Sequence, residues 1–393
     1  MTDIGVQGGS EELGVAWAWL HHATDLVSSG QLRSFVRSGQ VRVPGARSIL
    51  RSVGVGSSEV RSAVWSGVRG QRSVSVYTSP QREAVLRLCG WKGDRLAAHA
   101  QTDYLAVTAR KAAVAIFNLD LRRALRELQH GAVEARNDGC TELANVLTMV
   151  SVAVSGFSSD LAGAGSGDSE LWREMVSCSL SSLPHPALRA IFSFLTSKDD
   201  NYTSVLEEDG LLLVDRLGFA VTFLDDASLH AYIDREWEGM LAAGRLDGVV
   251  LSGGDSDGVQ LLQRYVDRTG DVQTVSWMAV RVLSLDLAKC DQVQGWVDSY
   301  RQLLDMWTMF TERAELDIAL TKSGCTSQPC QQVFVCCHYC GKSISPWYKG
   351  MPKGGQTGSL SRQGGGGGGN KPKIQSCPHC KVASGMITFS SIF

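Results

Sequence analysis

"YLAVTARKAAVAIFNLDLRRALRELQHG", residues 104–131, carries apolar side chains at helical spacing through Val107, Ala113, Ile116 and Phe117, and again through Leu121, Leu125 and Leu128. Asn118, Leu119 and Asp120 interrupt the two runs, and Gly131 suits the end of the second. Two helices joined by so short a break form an αα-hairpin. The same grammar recurs in "CTELANVLTMVSVAVSGF", "DSELWREMVSCSLSSL", "PHPALRAIFSFLTS", "DRLGFAVTFL", "DDASLHAYIDREWEGMLAAG", "DSDGVQLLQRYVDRTG", "DVQTVSWMAVRVL" and a closing run from Asp291 to Leu320. Ahead of them, Ser79 is placed as an N-cap with Pro80 at the first helical position of "SPQREAVLRLCGW".

Strand-like alternation is almost absent from this stretch. Consecutive short helices with short polar joints predict an all-α fold, an irregular α-solenoid of helical hairpins over residues 80–320, in which each hairpin buries its apolar face against its neighbours. No fixed period is present, which argues against a regular TPR or ankyrin array. Residues 1–79 read as a mixed N-terminal segment of apolar helical pieces and Gly/Ser/Val/Arg stretches. Residues 321–332, "TKSGCTSQPCQQ", read as a linker, and residues 333–393 as a small C-terminal zinc-knuckle module holding the flexible, low-complexity "GGQTGSLSRQGGGGGGN".

With 393 residues and 44% apolar composition the chain has material for a real core. Its 38 Lys and Arg nearly balance 40 Asp and Glu, so no bulk positive field marks nucleic acid as a partner. The N-terminus lacks the cationic and apolar regions of a secretory signal, and no apolar run reaches membrane-spanning length. A cytoplasmic protein without direct membrane insertion is expected. In a reducing compartment clustered thiols are more often metal ligands than disulfides, and seven of the eleven cysteines lie beyond Leu320.

Cys337-His338-Tyr339-Cys340 and Cys377-Pro378-His379-Cys380 are two C-x-x-C pairs separated by the 36 residues 341–376. Each such turn lets two thiolates converge on one tetrahedral ion, so the two together supply the four sulfurs of one closed, structural Zn2+ site. Cys336 offers a rival C-x-x-x-C pairing with Cys340. Spacing favours Cys337, since the C-x-x-C turn is the commoner knuckle and Cys336 alternates to the other side of the strand-like "QVFV". His338 and His379, inside the turns, read as exposed side chains.

Other motifs carry little chemistry. The hexaglycine run matches G-x-G-x-x-G trivially, without a strand before it or a helix after it. H-E-x-x-H, Walker A and G-x-S-x-G motifs are absent. His21 and His22 read as a helix surface or edge, and the carboxylates of "DDASLHAYIDREWE" as the charged face of an ordinary amphipathic helix. Nothing assembles a nucleophile, a base and an oxyanion donor, so no enzyme activity and no catalytic residues are expected.

"ARKAAVAIFNLDLRRALRELQHGA", "YVDRTGDVQT", "WVDSYRQLLDMWTMFTERAELDI", "QVFVCCHYCGKSIS" and "SCPHC" together resemble the Mios (missing oocyte) family, in collinear order over roughly residues 75–382. The resemblance implies a subunit of the GATOR-two complex, upstream of TOR kinase signalling: a scaffold with an N-terminal WD-repeat propeller, an α-solenoid and a C-terminal zinc and RING-like domain. It implies sister subunits, including small Sec/Seh-type β-propellers, as partners, and a peripheral place at the lysosome or vacuole membrane, where the complex relieves inhibition of TOR signalling when amino acids suffice. The family's "C-x-x-C-G-K-S-I" falls on Cys337 and Cys340, and its second pair on Cys377 and Cys380.

The chain departs from that pattern at both ends. About 75 residues precede the solenoid, too few for a seven-bladed propeller, and no Cys or His follows Cys380. A truncated member lacking the propeller and the RING-like end is therefore expected. Two other readings share parts of the pattern: a ubiquitin-ligase component, which calls for a second interleaved zinc site, and a vesicle-coat or nuclear-pore-like solenoid.

Overall fold

The computed structural model describes residues 4–32, 43–52, 58–64, 73–92, 104–160, 166–197, 201–324, 332–337, 339–340, 377, 379–381 and 387–392. They fall into two compact units, Met1–Thr326 and Ser327–Phe393. In the first, α1 (Ile4–Ser28) and α2 (Ala46–Arg51) precede an antiparallel hairpin, β1 (Glu59–Val64) and β2 (Ser73–Thr78), in which Glu59 faces Thr78 and Val64 faces Ser73. Among the described residues of this unit only helices follow: α3 (Pro80–Leu88), α4 (Tyr104–Phe117), α5 (Leu121–Asn137), α6 (Thr141–Asp160), α7 (Ser166–Ser179), α8 (Pro186–Thr196), α9 (Thr203–Leu206), α10 (Leu213–Phe223), α11 (Asp226–Ala243), α12 (Val249–Ser252), α13 (Ser256–Thr269), α14 (Val272–Val282), α15 (Leu285–Ala288), α16 (Asp291–Met306) and α17 (Phe310–Lys322). The all-α solenoid expected from the sequence is the observed fold.

Local signals set the boundaries. The Ser79 hydroxyl accepts from the Arg82 amide at 3.1 Å with Pro80 as first helical residue, and the Asp120 carboxylate accepts from the Arg123 amide at 3.0 Å. Leu119, at φ 60, turns the chain between α4 and α5. Gly131 is not the expected cap. It lies inside α5, which runs to Asn137, and a Cβ placed on it would collide with Thr108 Cγ2 of α4. The glycine serves close helix approach, so the hairpin is tighter than a capping reading implies.

Packing is mostly between neighbours in the chain, α4 on α5 and α5 on α6, with longer reaches such as α4 on α8 and α14 on α16. One apolar cluster runs from Ala16 to Leu320. At its centre Phe117, Phe194, Tyr202, Phe219 and Phe223 meet with ring centroids 4.7–5.8 Å apart, mostly tilted or edge-on, and Trp91 stacks on Phe117.

Residues 1–79, set apart in the sequence reading, belong to this same unit. Trp19 of α1 is 1% exposed within the shared core. His22 Nε2 lies 2.8 Å from the Arg87 carbonyl, the Glu12 carboxylate accepts from the Leu246 amide and from Arg268, and the Gly254 amide donates to the Val43 carbonyl at 2.9 Å. Arg47 joins Asp234 and Asp257, and the Ser58 hydroxyl donates to Asp226. These partners lie 65 to 256 positions away in the chain, which is why local composition did not reveal them.

Candidate metal centre

The second unit is organised by a two-stranded antiparallel sheet. β3 (Gln332–Cys337) runs against β4 (Ile387–Ile392), pairing Gln332 with Ile392 and Cys337 with Ile387. β3 delivers the chain to a turn at Tyr339 and Cys340, and a second turn spans Cys377 to Lys381. That second turn is closed by the Lys381 amide donating to the Cys377 carbonyl at 2.8 Å, with Lys381 in the left-handed region at φ 58. The His379 amide points at Cys377 Sγ, 3.4 Å away. An N–H aimed at sulfur favours the thiolate over the thiol, which is the ligating form.

The Sγ atoms of Cys340, Cys377 and Cys380 lie within 4.8 Å of one another, and Cys340 Sγ sits 3.8 Å from Cys377 Sγ. A disulfide would need about 2.05 Å. A tetrahedron with Zn–S bonds of about 2.3 Å has sulfur-to-sulfur edges of about 3.8 Å, the distance between Cys340 Sγ and Cys377 Sγ. Cys377 is buried, and Cys340 and Cys380 are half-buried. All-sulfur donors suit zinc better than a hard, oxygen-seeking cation.

Three of the four ligands assigned from spacing are thus brought together. The fourth, Cys337, ends β3 opposite Ile387; its side chain, like that of Cys336, lies outside the described residues. His379 is exposed, as expected of a residue within the turn; His338 and the intervening residues 341–376 lie outside the described residues.

The other polar clusters are taken up by the fold. In α11 the carboxylates tie distant segments together: Asp226 to Ser58 and Arg82, Asp234 to Arg47 and Arg51, Glu236 to Arg216. Partial burial works against the charge of Asp226, but the hydrogen bonds from Ser58 and Arg82 outweigh it and lower its pKa to about 2. Cys89 is fully buried; burial, then the charge of Asp215, pushes its thiol far up, so it is no nucleophile. A cleft of about 810 Å3 is bordered by Glu12, Arg216, Glu236, Arg245, Asp247 and Arg268, all engaged in ion pairs.

One buried pair escaped the sequence reading. Arg110 Nε and Nη2 each lie 2.7 Å from the Asp215 carboxylate, to which Trp91 Nε1 also donates at 3.3 Å, and the two side chains are 5% and 3% exposed. Burial opposes the Arg110 charge, but Asp215 outweighs it and holds the guanidinium firmly protonated. The signal was available: an arginine among the buried alanines of α4 and an aspartate inside "LLLVDRLGF".

The family model described as MIOS, alpha-solenoid, matches residues 3–223, more than half of the chain. The chain belongs to the MIOS family. Its match begins with α1, in keeping with an N-terminal segment built into the solenoid. Among MIOS relatives, a Danio rerio protein named GATOR2 complex protein MIOS is 36% identical over 95% of this chain and 41% of its own length. GATOR2 complex protein MIOS-A of Xenopus laevis is 36% identical over 93% and 40%, and the SEH-associated protein 4 of Saccharomyces cerevisiae 30% identical over 51% and 19%. The chain therefore spans about two-fifths of the length of the animal MIOS proteins it matches.

Proposed function

We propose that this chain is a non-catalytic scaffold subunit of a GATOR2-type complex, acting with sister subunits in amino-acid-dependent, positive control of TOR complex one. The observation that carries this reading is the match, over 95% of the chain, to a protein named GATOR2 complex protein MIOS. The helical stack supports it physically, because stacked hairpins present long surfaces to other subunits. The name of the yeast relative supports a small Seh-type β-propeller among the partners. The working place is the cytoplasmic side of the lysosome or vacuole membrane, held peripherally; no helix among the described residues is long and apolar enough to cross a membrane.

Cys337, Cys340, Cys377 and Cys380 would hold one structural Zn2+. Bound there, the ion supplies a four-point cross-link, worth on the order of 10–16 kcal/mol in small zinc-dependent modules. The residues themselves do the shaping: β3 and β4 bring the two turns together, and the His379 amide supports the Cys377 thiolate.

Two measurements test this. Co-expression of the full chain with a Seh-type propeller and the other subunits of the complex, followed by size-exclusion chromatography, is expected to give co-elution; a chain that elutes alone sinks the scaffold reading. Metal analysis of the purified chain is expected to find one zinc, retained in Cys336→Ser and lost in Cys337→Ser. Loss in Cys336→Ser and retention in Cys337→Ser would reassign the fourth ligand.

A further inference from the structure

We infer that the outward face of α5 is a docking surface for an acidic amphipathic helix from a partner protein, apolar along one stripe and edged with Asp or Glu. The inference rests on charge and exposure and does not depend on which complex the chain joins.

At about 100° per residue, Arg122, Arg123, Arg126, His130, Val133 and Arg136 fall within one arc of about 140°, across the helix from the buried side made by Leu121, Ala124, Leu128 and Ala135. All six are exposed, and no carboxylate of α5 lies within the arc. Arg126 has no ion-pair partner among the described residues, and Arg136 donates to the neutral Thr148 hydroxyl of α6 at 3.1 Å. From Arg122 to Arg136 the face runs about 21 Å, the length of about four turns of a partner helix. The cluster gains the helix itself nothing. Arg122 and Arg123 occupy a first turn without an acidic residue, where the helix dipole favours anions.

Apolar side chains accompany the charge. Val133, 53% exposed, stands within the arginine face. The Arg136 contact with Thr148 places α6 along one margin, and there Val152, one turn on from Thr148, is 66% exposed and Met149 41%. Arginine and methionine are enriched at interfaces, where the guanidinium supplies directed donors and the apolar side chains supply buried area.

The surroundings decide what kind of anion fits. Glu134 accepts from Tyr104 of α4 and lies 3.5 Å from His130 Nδ1, so it and Glu127, its neighbour on the helix surface, mark the α4 margin. Asp138 and Glu142 are exposed past the C-terminal end of α5. The basic stripe is therefore narrow and bounded by carboxylates. One acidic helix can follow it, whereas a flat anionic membrane would meet those carboxylates as well, and a second copy of the same face would set arginine against arginine. With 38 Lys and Arg against 40 Asp and Glu, no wider positive field offsets this for a membrane.

The test uses the full chain and two defined probes, a Leu/Glu model helix of about four turns and a Leu/Lys helix of the same pattern, with binding followed by fluorescence anisotropy. The Leu/Glu helix is expected to bind, more weakly as salt rises, and the Leu/Lys helix is not. Arg126→Glu with Arg136→Glu should weaken Leu/Glu binding by about tenfold or more, the loss typical of removing interface anchors, and should turn the preference toward Leu/Lys. Val133→Ser with Val152→Ser, which keeps every charge, should also weaken Leu/Glu binding. Far-UV circular dichroism should stay unchanged in both variants, because all four side chains are exposed. Equal binding of the two helices, or Leu/Glu binding indifferent to either pair of substitutions, overturns the proposal. So does cosedimentation with phosphatidylserine vesicles that Arg126→Glu with Arg136→Glu abolishes, since the occupant would then be a membrane. Concentration-dependent self-association in sedimentation velocity, abolished by the same variant, would overturn it in favour of a second copy.

Discussion

Arg110 and Asp215 bring α4 and α10 together through two 2.7 Å hydrogen bonds inside an apolar core. A buried pair of this kind adds little over a well-packed apolar substitute, but losing one partner strands a buried charge, at about 3–5 kcal/mol. Asp215→Ala should therefore lower the denaturation free energy by that amount, and Arg110→Leu with Asp215→Leu should recover much of it; a double variant as unstable as the single one would show that the pair contributes more than mutual neutralisation. At Asp226 the effect is visible in pH. Its carboxyl titrates near 3.8 ordinarily and at about 2 in the folded chain, so the unfolded chain takes up its proton first as acid is added. The stabilisation is fully present above the ordinary value and drains away as pH falls toward about 2. Chemical denaturation of the wild type and Asp226→Asn should show a stability gap that is constant near neutrality and closes between about pH 4 and pH 2. A gap that widens on acidification would contradict the lowered pKa.

Helix boundaries at the scale of one element were legible wherever their determinants were local. Ser79 with Pro80 caps α3 as expected, and Asp120, Asp225 and the αL glycine Gly244 cap α5 and α11 by the same short-range chemistry, because a cap is decided within about four residues. α1 was legible as an apolar helical piece, but its place in the solenoid and the β1–β2 hairpin were not, since what holds them lies in α3, α11, α13 and the α11–α12 joint: Arg87, Asp226, Asp234, Asp257 and Leu246. At the candidate metal centre the spacing of the two cysteine pairs pointed to Cys340, Cys377 and Cys380, which the structure brings together, a C-x-x-C turn being a local object; the choice between Cys336 and Cys337 was not equally local. Gly131 shows the converse error, a residue that favours caps placed where two helices nearly touch. Gly131→Ala gains up to about 1 kcal/mol of helix propensity but forces a methyl against Thr108, and overpacking costs about 1–3 kcal/mol. The net effect should be destabilising in the wild type and should turn toward neutral or stabilising in Thr108→Ser, which lacks the obstructing Cγ2. Thermal denaturation of the two single variants and the double variant measures the coupling directly, and strict additivity would mean that close approach is not why glycine is there.

At the scale of the whole chain, the two units rest on different physics. Met1–Thr326 is held by a continuous apolar cluster running from Ala16 to Leu320, so its stability draws on burial. In Ser327–Phe393 the described framework is one two-stranded sheet and two turns, and an isolated pair of strands is marginal in water by itself. The zinc cross-link proposed above would tie both turns together, and the 3.8 Å approach of Cys340 Sγ and Cys377 Sγ is compatible with it. Removal of the proposed zinc should therefore act on one unit and spare the other. Adding a strong chelator to the full chain is expected to leave the main cooperative thermal transition at its original midpoint, while the cysteines of the second unit become reactive toward a thiol reagent and amide exchange in β3 and β4 speeds up. Restoring zinc should reverse both changes. A large fall in the main transition on chelation would mean that the solenoid leans on the metal centre, and unchanged thiol reactivity would mean that these cysteines hold no ion.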